Sequence, residues 1–216
     1  IEGEIPLEEF DREGPFGEMY GYLGAEQYKN FFLNVKAITH RNNPIIPNQF
    51  TGITRGCLTA PIEGSLNKRF SDQYDEFIGL HYPLEYPGFC FVQIKNTDNE
   101  KAIEVGESIT KLLKIAKITI LLDEDVDIHN LSEVLHAIGS RWQPSRSSKI
   151  IDDANGLSGD PSAITKGKGS RIVINATRNS TVQISGEPFP NMNIEILKDK
   201  FPDALKDIEE KFKEFL

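Results

Sequence analysis

The run Phe89-Cys90-Phe91-Val92-Gln93-Ile94, the segment from Asn99 to about Leu113 and the run from Ala116 to Leu122 read in order as strand, helix and strand. The middle segment has Ile103, Ile109 and Leu113 among its apolar positions. The last run is nearly continuous in apolar residues, which marks a strand of a parallel sheet covered on both faces. A second helix follows from Leu131 to about Arg141, with Asn130 at its start and Glu133 three residues on, the spacing of a capping box. Strand, helix, strand and helix make a βαβ unit, so residues 85–150 form a small α/β lobe.

Outward from that lobe the pattern changes. Residues 1–62 read as β-rich. Asn30 to His40 is aromatic and β-branched with partial alternation, Asn42-Asn43-Pro44 is a turn signal, and Ile45-Ile46 begins a short strand that Pro47 limits. Ile1 to Ile5 alternates as well. Residues 65–77 suggest a short helix, and His81 to Gly88, with Pro83 and Pro87, a connector. Beyond the lobe, residues 152–170 read as an Asp/Gly/Ser-rich loop, Arg171 to Ala176 as a strand, and Ser185 to Asn193 as irregular. A terminal helix is expected from Asp203 to Phe215, with Leu205, Ile208, Phe212 and Phe215 on one stripe. The fold class is α/β in the lobe and α+β overall. The expected division is residues 1–62, a linker helix and connector over 63–84, and a C-terminal lobe with its tail over 85–216.

Composition restricts the partners. With 33 Asp and Glu against 24 Lys and Arg, the 216-residue chain has a formal charge of −9. It offers no basic surface to nucleic acid or to an anionic membrane. No apolar run approaches the roughly 20 residues that cross a bilayer. Two cysteines, Cys57 and Cys90, are too few for a disulfide framework and suit a reducing, cytoplasmic compartment. The chain starts at Ile1, inside an expected strand and without a signal-peptide pattern, which reads as the start of a fragment or a processed chain.

Several motifs carry no chemistry. Asp123-x-Asp125-x-Asp127 begins like a calcium loop but has Ile128 and Val134 where that loop needs Gly and Glu, so it reads as an acidic turn after a parallel strand. The glycosylation-type triplets at Asn130, Asn175 and Asn179 mean little without a secretory route. Lys166-Gly167-Lys168-Gly169 lacks the rest of a phosphate loop, and the turn after Ile94 has no glycines for a dinucleotide. His40, His81, His129 and His136 show no metal-ligand spacing, and no Ser or Cys sits in a nucleophile elbow. No metal ligand is assigned.

One segment differs. Glu13-Gly14-Pro15-Phe16-Gly17-Glu18-Met19-Tyr20-Gly21-Tyr22 packs two carboxylates, three aromatics and a Gly-Pro turn into ten residues. Positions five apart on a plain strand face opposite sides, but a Gly-Pro turn can cancel that parity and bring both carboxylates to one cleft. Phe16, Tyr20 and Tyr22 could then form a low-dielectric wall, which keeps a carboxyl protonated near neutrality and able to donate to a carbanion. The bland alternative is a solvated acidic turn.

This segment resembles the signature of the UbiD family of non-oxidative decarboxylases. Val35 to Ile45 is similar to that family's next strand pair. Ile120 to Asp127, Glu133 to Ile138 and Arg141 resemble its C-terminal lobe, and Ile172 to Thr177 the strand near its end. The blocks keep the family's order and cover most of the chain.

The resemblance implies an enzyme that removes CO2, in some members reversibly, from an unsaturated or aromatic carboxylic acid. It uses prenylated FMN with Mn2+ and K+. It implies Glu18 as proton donor, Glu13 as the residue that binds and orients an active-site Arg, and Lys111 as a cofactor contact, with Lys114 or Lys117 taking that place if the register slips. It also implies that residues 1–62 are the last strands of a flavin-binding split β-barrel and that the C-terminal lobe forms a homo-oligomer. The family's metal ligands and catalytic Arg precede the signature segment, so an N-terminal half or companion chain is expected, and this chain alone is expected to bind no flavin and to be inactive. The rival readings are a non-catalytic α/β assembly module and, weakened by the missing glycine turn, a nucleotide-binding domain.

Overall fold

Burial on both faces organises the C-terminal lobe. The computed structural model describes residues 1–46, 59–83, 85–157, 159–163, 165–180 and 189–213. It divides into one unit over 1–181 and a second over 182–216. In the first, strands β5 (Phe77–His81), β6 (Phe89–Ile94), β7 (Ile118–Leu122), β8 (Ser148–Asn155) and β9 (Lys168–Asn175) form one sheet in the order β5-β6-β7-β9-β8. β6, β7 and β9 are parallel, and β5 and β8 are antiparallel edges. Alternate residues feed two cores. Val92, Ile94, Leu121 and Val173 pack with helix α2 (Asn99–Leu112), while Phe91, Ile120, Leu122 and Ile174 pack with Val134 and Ala137 of helix α3 (Leu131–Arg141). The expected parallel strand and βαβ unit are therefore present. Gly106 brings α2 close to the sheet, because a Cβ there would meet Val173 Cγ1 at 2.5 Å.

Each helix end has a local cause. The Asp98 carboxylate accepts from Lys101 N at the start of α2. The Asn130 side chain accepts from Ser132 N at the start of α3. Glu133 reaches back, but to Asp127 N and the Asn130 side-chain amide, so the expected capping box takes a different form. The acidic turn after β7 is anchored: Asp123 and Asp125 receive the buried Arg141 guanidinium at 2.7–2.9 Å. Burial pushes the Asp123 carboxyl up. At Asp125 burial does the same, but hydrogen bonds and charge from Arg141, with Arg178, outweigh it and hold that carboxyl low.

Several expectations change. The first helix, α1, runs over Thr59–Gln73 rather than 65–77, because residues 77–81 are β5, a strand not foreseen. Asn67 of α1 lies along its outer edge, donating to Leu80 O at 3.1 Å and accepting from Leu80 N at 2.7 Å. Part of the expected 152–170 loop belongs to β8, which pairs with β9 from Lys168 onward. The apolar run 30–40 is split between strands β3 (Gln27–Asn30) and β4 (Asn34–Ala37), and Ile45-Ile46 forms no strand. Among the described residues β4 pairs only with β1 (Glu2–Glu4), and β3 only with β2 (Asp11–Glu13), as two-stranded ribbons. In the second unit a helix not foreseen, α4 (Asn193–Lys200), ends before Phe201-Pro202, and the expected terminal helix follows as the shorter α5 (Ala204–Lys211). Ile208 and Phe212 are exposed there, while Cys57 and Phe215 lie outside the described residues. No described helix is long and apolar enough to cross a membrane.

Candidate functional site

Glu13 ends β2, and the chain turns immediately after it at Gly14, whose φ of +80° only glycine adopts freely. The return is a tight hairpin. Glu18 N donates to Tyr22 O at 2.8 Å, Gly21 N to Glu18 O at 2.9 Å and Gly24 N to Phe16 O at 2.9 Å. This path brings Glu13 and Glu18 to one cleft of about 480 Å³, shared with Phe16, Tyr22, Asn30 and Lys166. The Glu13 carboxylate accepts a hydrogen bond from the Asn30 side chain at the end of β3.

The Glu18 carboxyl sits between two glycines. A Cβ on Gly24 would lie 2.7 Å from Oε1, and one on Gly159 would lie 3.0 Å from Oε2. Gly159 comes from the loop between β8 and β9, far along the chain. The next residue, Asp160, also lines the cleft and is tied to Lys117, just before β7, at 2.7–2.8 Å. Burial pushes the Asp160 carboxyl up, but hydrogen bonds from Lys117 and from the backbone and side chain of Ser162 outweigh it and hold that carboxyl below its ordinary range.

The aromatic wall is not built as expected. Phe16 and Tyr22 line the cleft but are 53% and 64% exposed. Tyr20 turns away, donating its hydroxyl to Ile115 O at 3.2 Å with the Lys117 ammonium 5.8 Å from its ring centre. Burial pushes the Tyr20 phenol up, the Asp160 charge adds to this, and Arg171 opposes it. The Gly-Pro turn thus does bring the two carboxylates together, but into a wet cleft.

The structure does not bring Lys111 to that cleft. Its ammonium pairs with Glu107 at 2.8 Å, and its side chain lines a separate cavity of about 370 Å³ with Thr110, Asp152 and Arg171. Of the three candidate lysines, Lys117, reached above only by a register slip, is bonded to a residue of the cleft wall, Asp160, while Lys166 lines the cleft itself. Asn30, Gly159 and Asp160 carried no local signal, since each reaches the site through a contact distant in sequence. Among the described residues no group of three His, Cys, Asp or Glu could hold a metal ion.

Two family models match with little gap between them. Residues 1–54 match the 3-octaprenyl-4-hydroxybenzoate carboxy-lyase Rift-related domain, and residues 58–176 match the C-terminal domain of the same carboxy-lyase. The chain belongs to the UbiD family. This UbiD-family chain is 30% identical over 224 residues to a phenolic acid decarboxylase of Sedimentibacter hydroxybenzoicus, across all of the chain and 45% of that relative. It superimposes on the closed form of the vanillic acid decarboxylase of the same organism with a TM-score of 0.68 at 25% identity, covering 98% of this chain and 44% of that one. Against HmfF of Pelotomaculum thermopropionicum in complex with FMN, the TM-score is 0.69 at 25% identity, with 94% and 46% covered. The chain spans less than half the length of the relatives it matches.

Proposed function

We propose that this chain carries the acid–base side of a prenylated-FMN-dependent, non-oxidative decarboxylase acting on an unsaturated or aromatic carboxylic acid. The observation that supports this reading is that Glu13 at the end of β2 and Glu18 in the hairpin that follows line a single cleft. Loss of CO2 breaks the bond to the carboxylate and leaves an electron pair on carbon, which must then be protonated. Glu18, approached closely at both oxygens by Gly24 and Gly159, is the donor. Glu13, which takes one hydrogen bond from Asn30, has further acceptor capacity for an arginine. One carboxyl donates and one orients, the division of labour expected of paired carboxylates.

The residues fit the reacting end of such a cofactor and not its anchoring end. Prenylated FMN, when bound, supplies the electron sink for the carbon that loses CO2. Two carboxylates and two aromatic rings face the space it would share with substrate, but no metal-holding group of three acids, His or Cys occurs among the described residues. Mn2+ and K+ therefore rest on the family resemblance alone, and no step is assigned to them. In this reading residues 1–62 complete a split barrel with further strands from an N-terminal half or companion chain, and the lobe from residue 85 onward assembles a homo-oligomer. The exposure of Leu7, Leu23, Tyr28 and Ile45 in the ribbon region supports the need for such a cover.

Glu18→Gln in the complete enzyme is the test. Turnover should fall by roughly 10²–10⁴ with cofactor occupancy matched, the usual range for a lost general acid. Near-wild-type decarboxylation would remove Glu18 from this role.

A further inference from the structure

One wall of the Glu13–Glu18 cleft beside Glu18 is not part of the signature hairpin. It is the loop between β8 and β9, whose two ends are joined where Gly156 N donates to Gly167 O at 2.9 Å. Inside that loop one side chain collects the contacts. The Asp160 carboxylate, 10% exposed, accepts from Lys117 Nζ at 2.8 Å and from both Ser162 N and Ser162 Oγ at 2.9 Å. The Ser162 hydroxyl accepts from the same ammonium at 2.6 Å, closing a three-membered network.

Lys117 also belongs to the sheet. Its backbone N donates to Gly88 O at 2.7 Å, and its carbonyl accepts from Ile172 N at 2.9 Å, which ties it to the strands on both sides. Its ammonium lies near the Tyr20 ring, and Tyr20 is two residues from Glu18. One lysine therefore touches both the hairpin that carries Glu18 and the loop that backs onto it. The titratable side chains lining the cleft with Glu18, among the described residues, are Glu13, Asp160, Tyr22 and Lys166. Lys117 supplies Asp160 with its cationic partner, in a cleft that already holds two other carboxyl groups.

We propose that the Lys117–Asp160 pair is a latch that holds Gly159 against the Glu18 carboxyl and neutralises the third acid of the cleft. Asp160 is thus a positioning residue, acting on Glu18 through the backbone of its neighbour. The latch extends the reading of Glu18 as proton donor. It is tested without turnover, so a failure of one leaves the other standing.

The test is a double-mutant cycle on the full 216-residue chain, with Lys117→Met, Asp160→Asn, the double variant, and Lys117→Arg as the conservative control. Hydrogen exchange reports on residues 156–163, and the ¹³Cδ resonance of Glu18, assigned with Glu18→Gln, reports on its surroundings. Each single variant should exchange roughly five- to tenfold faster across 156–163 and displace the Glu18 resonance, the double variant should be no worse than either single, and Lys117→Arg should stay near wild type. Loosening of the loop with the Glu18 resonance unmoved would make the pair a structural tie only and overturn the proposal. So would additive effects in the double variant, or unchanged exchange in both singles. Should Lys117→Met fail to fold, Asp160→Asn and Ser162→Ala, which removes one arm of the network, carry the same comparison.

Discussion

In β7, Thr119 to Leu122 are all buried; in β4, Asn34 to Ala37 are all exposed. Both segments are hydrogen-bonded strands, and both contain β-branched residues. β7 has a parallel strand on either side and apolar cores on both faces, whereas β4 has β1 alone. Strand formation satisfies the backbone, but burial comes from the number of layers around a strand, and only burial yields the ~25 cal/mol per Å² of apolar surface removed from water. The ribbons are therefore shaped by their pairing and left unfinished on their faces.

The sharpest way to break that comparison is to truncate one aliphatic side chain to alanine in each. Leu121→Ala, at a position with no exposure, should cost about 3 kcal/mol, while Val35→Ala in β4 should stay within about 0.5 kcal/mol. Chemical denaturation monitored by circular dichroism reads both. A large loss at Val35 would show that the ribbon is covered in solution.

A smaller effect belongs to the edge of the sheet. Asn67→Ala removes the side chain that pairs with both backbone groups of Leu80. It should cost about 1–2 kcal/mol, the penalty for unmade bonds to half-buried backbone, and should raise hydrogen exchange selectively at residues 77–81. A uniform rise across the sheet would mean that α1 contributes by packing alone.

The edges are also where the sequence was least legible. Cys90-Phe91-Val92 and Ile120-Leu121-Leu122 announce buried strands in any context, because nothing but a two-sided core accepts them. Phe77-Ile78-Gly79-Leu80-His81 is short and contains glycine, and it becomes a strand only through β6 and Asn67. β8 carries Asp152 and Asp153 and is specified by β9 alone. In the site, the pair Glu13 and Glu18 was readable from the turn chemistry between them. Gly159 and Asp160 were not, because a loop's destination is set by tertiary contacts. Lys111 fell on the expected helix and Lys117 on the expected strand, but which of them reaches a residue of the cleft wall is decided by the fold.

The smallest predicted effect depends on acid. The folded state holds the Asp160 carboxyl low despite its burial, so its ionised form is favoured on folding. That contribution is fully present above the unfolded value of about 3.9 and is lost as pH falls through the lower folded value. Protection of residues 156–163, corrected for the intrinsic pH dependence of exchange, should hold from neutrality to about pH 4 and decline below it, and Asp160→Asn should abolish that decline. A decline of equal size in the variant would assign it to other acids.

The amide of Asn67 has a consequence for growth as well as for stability. A sheet with two open sides can add neighbours at both and extend without limit. Here the Asn67 side chain already holds both backbone groups of Leu80 on the β5 side, so a strand added there would have to displace it. An edge plugged from within its own molecule is a defence against sheet-to-sheet growth on that side.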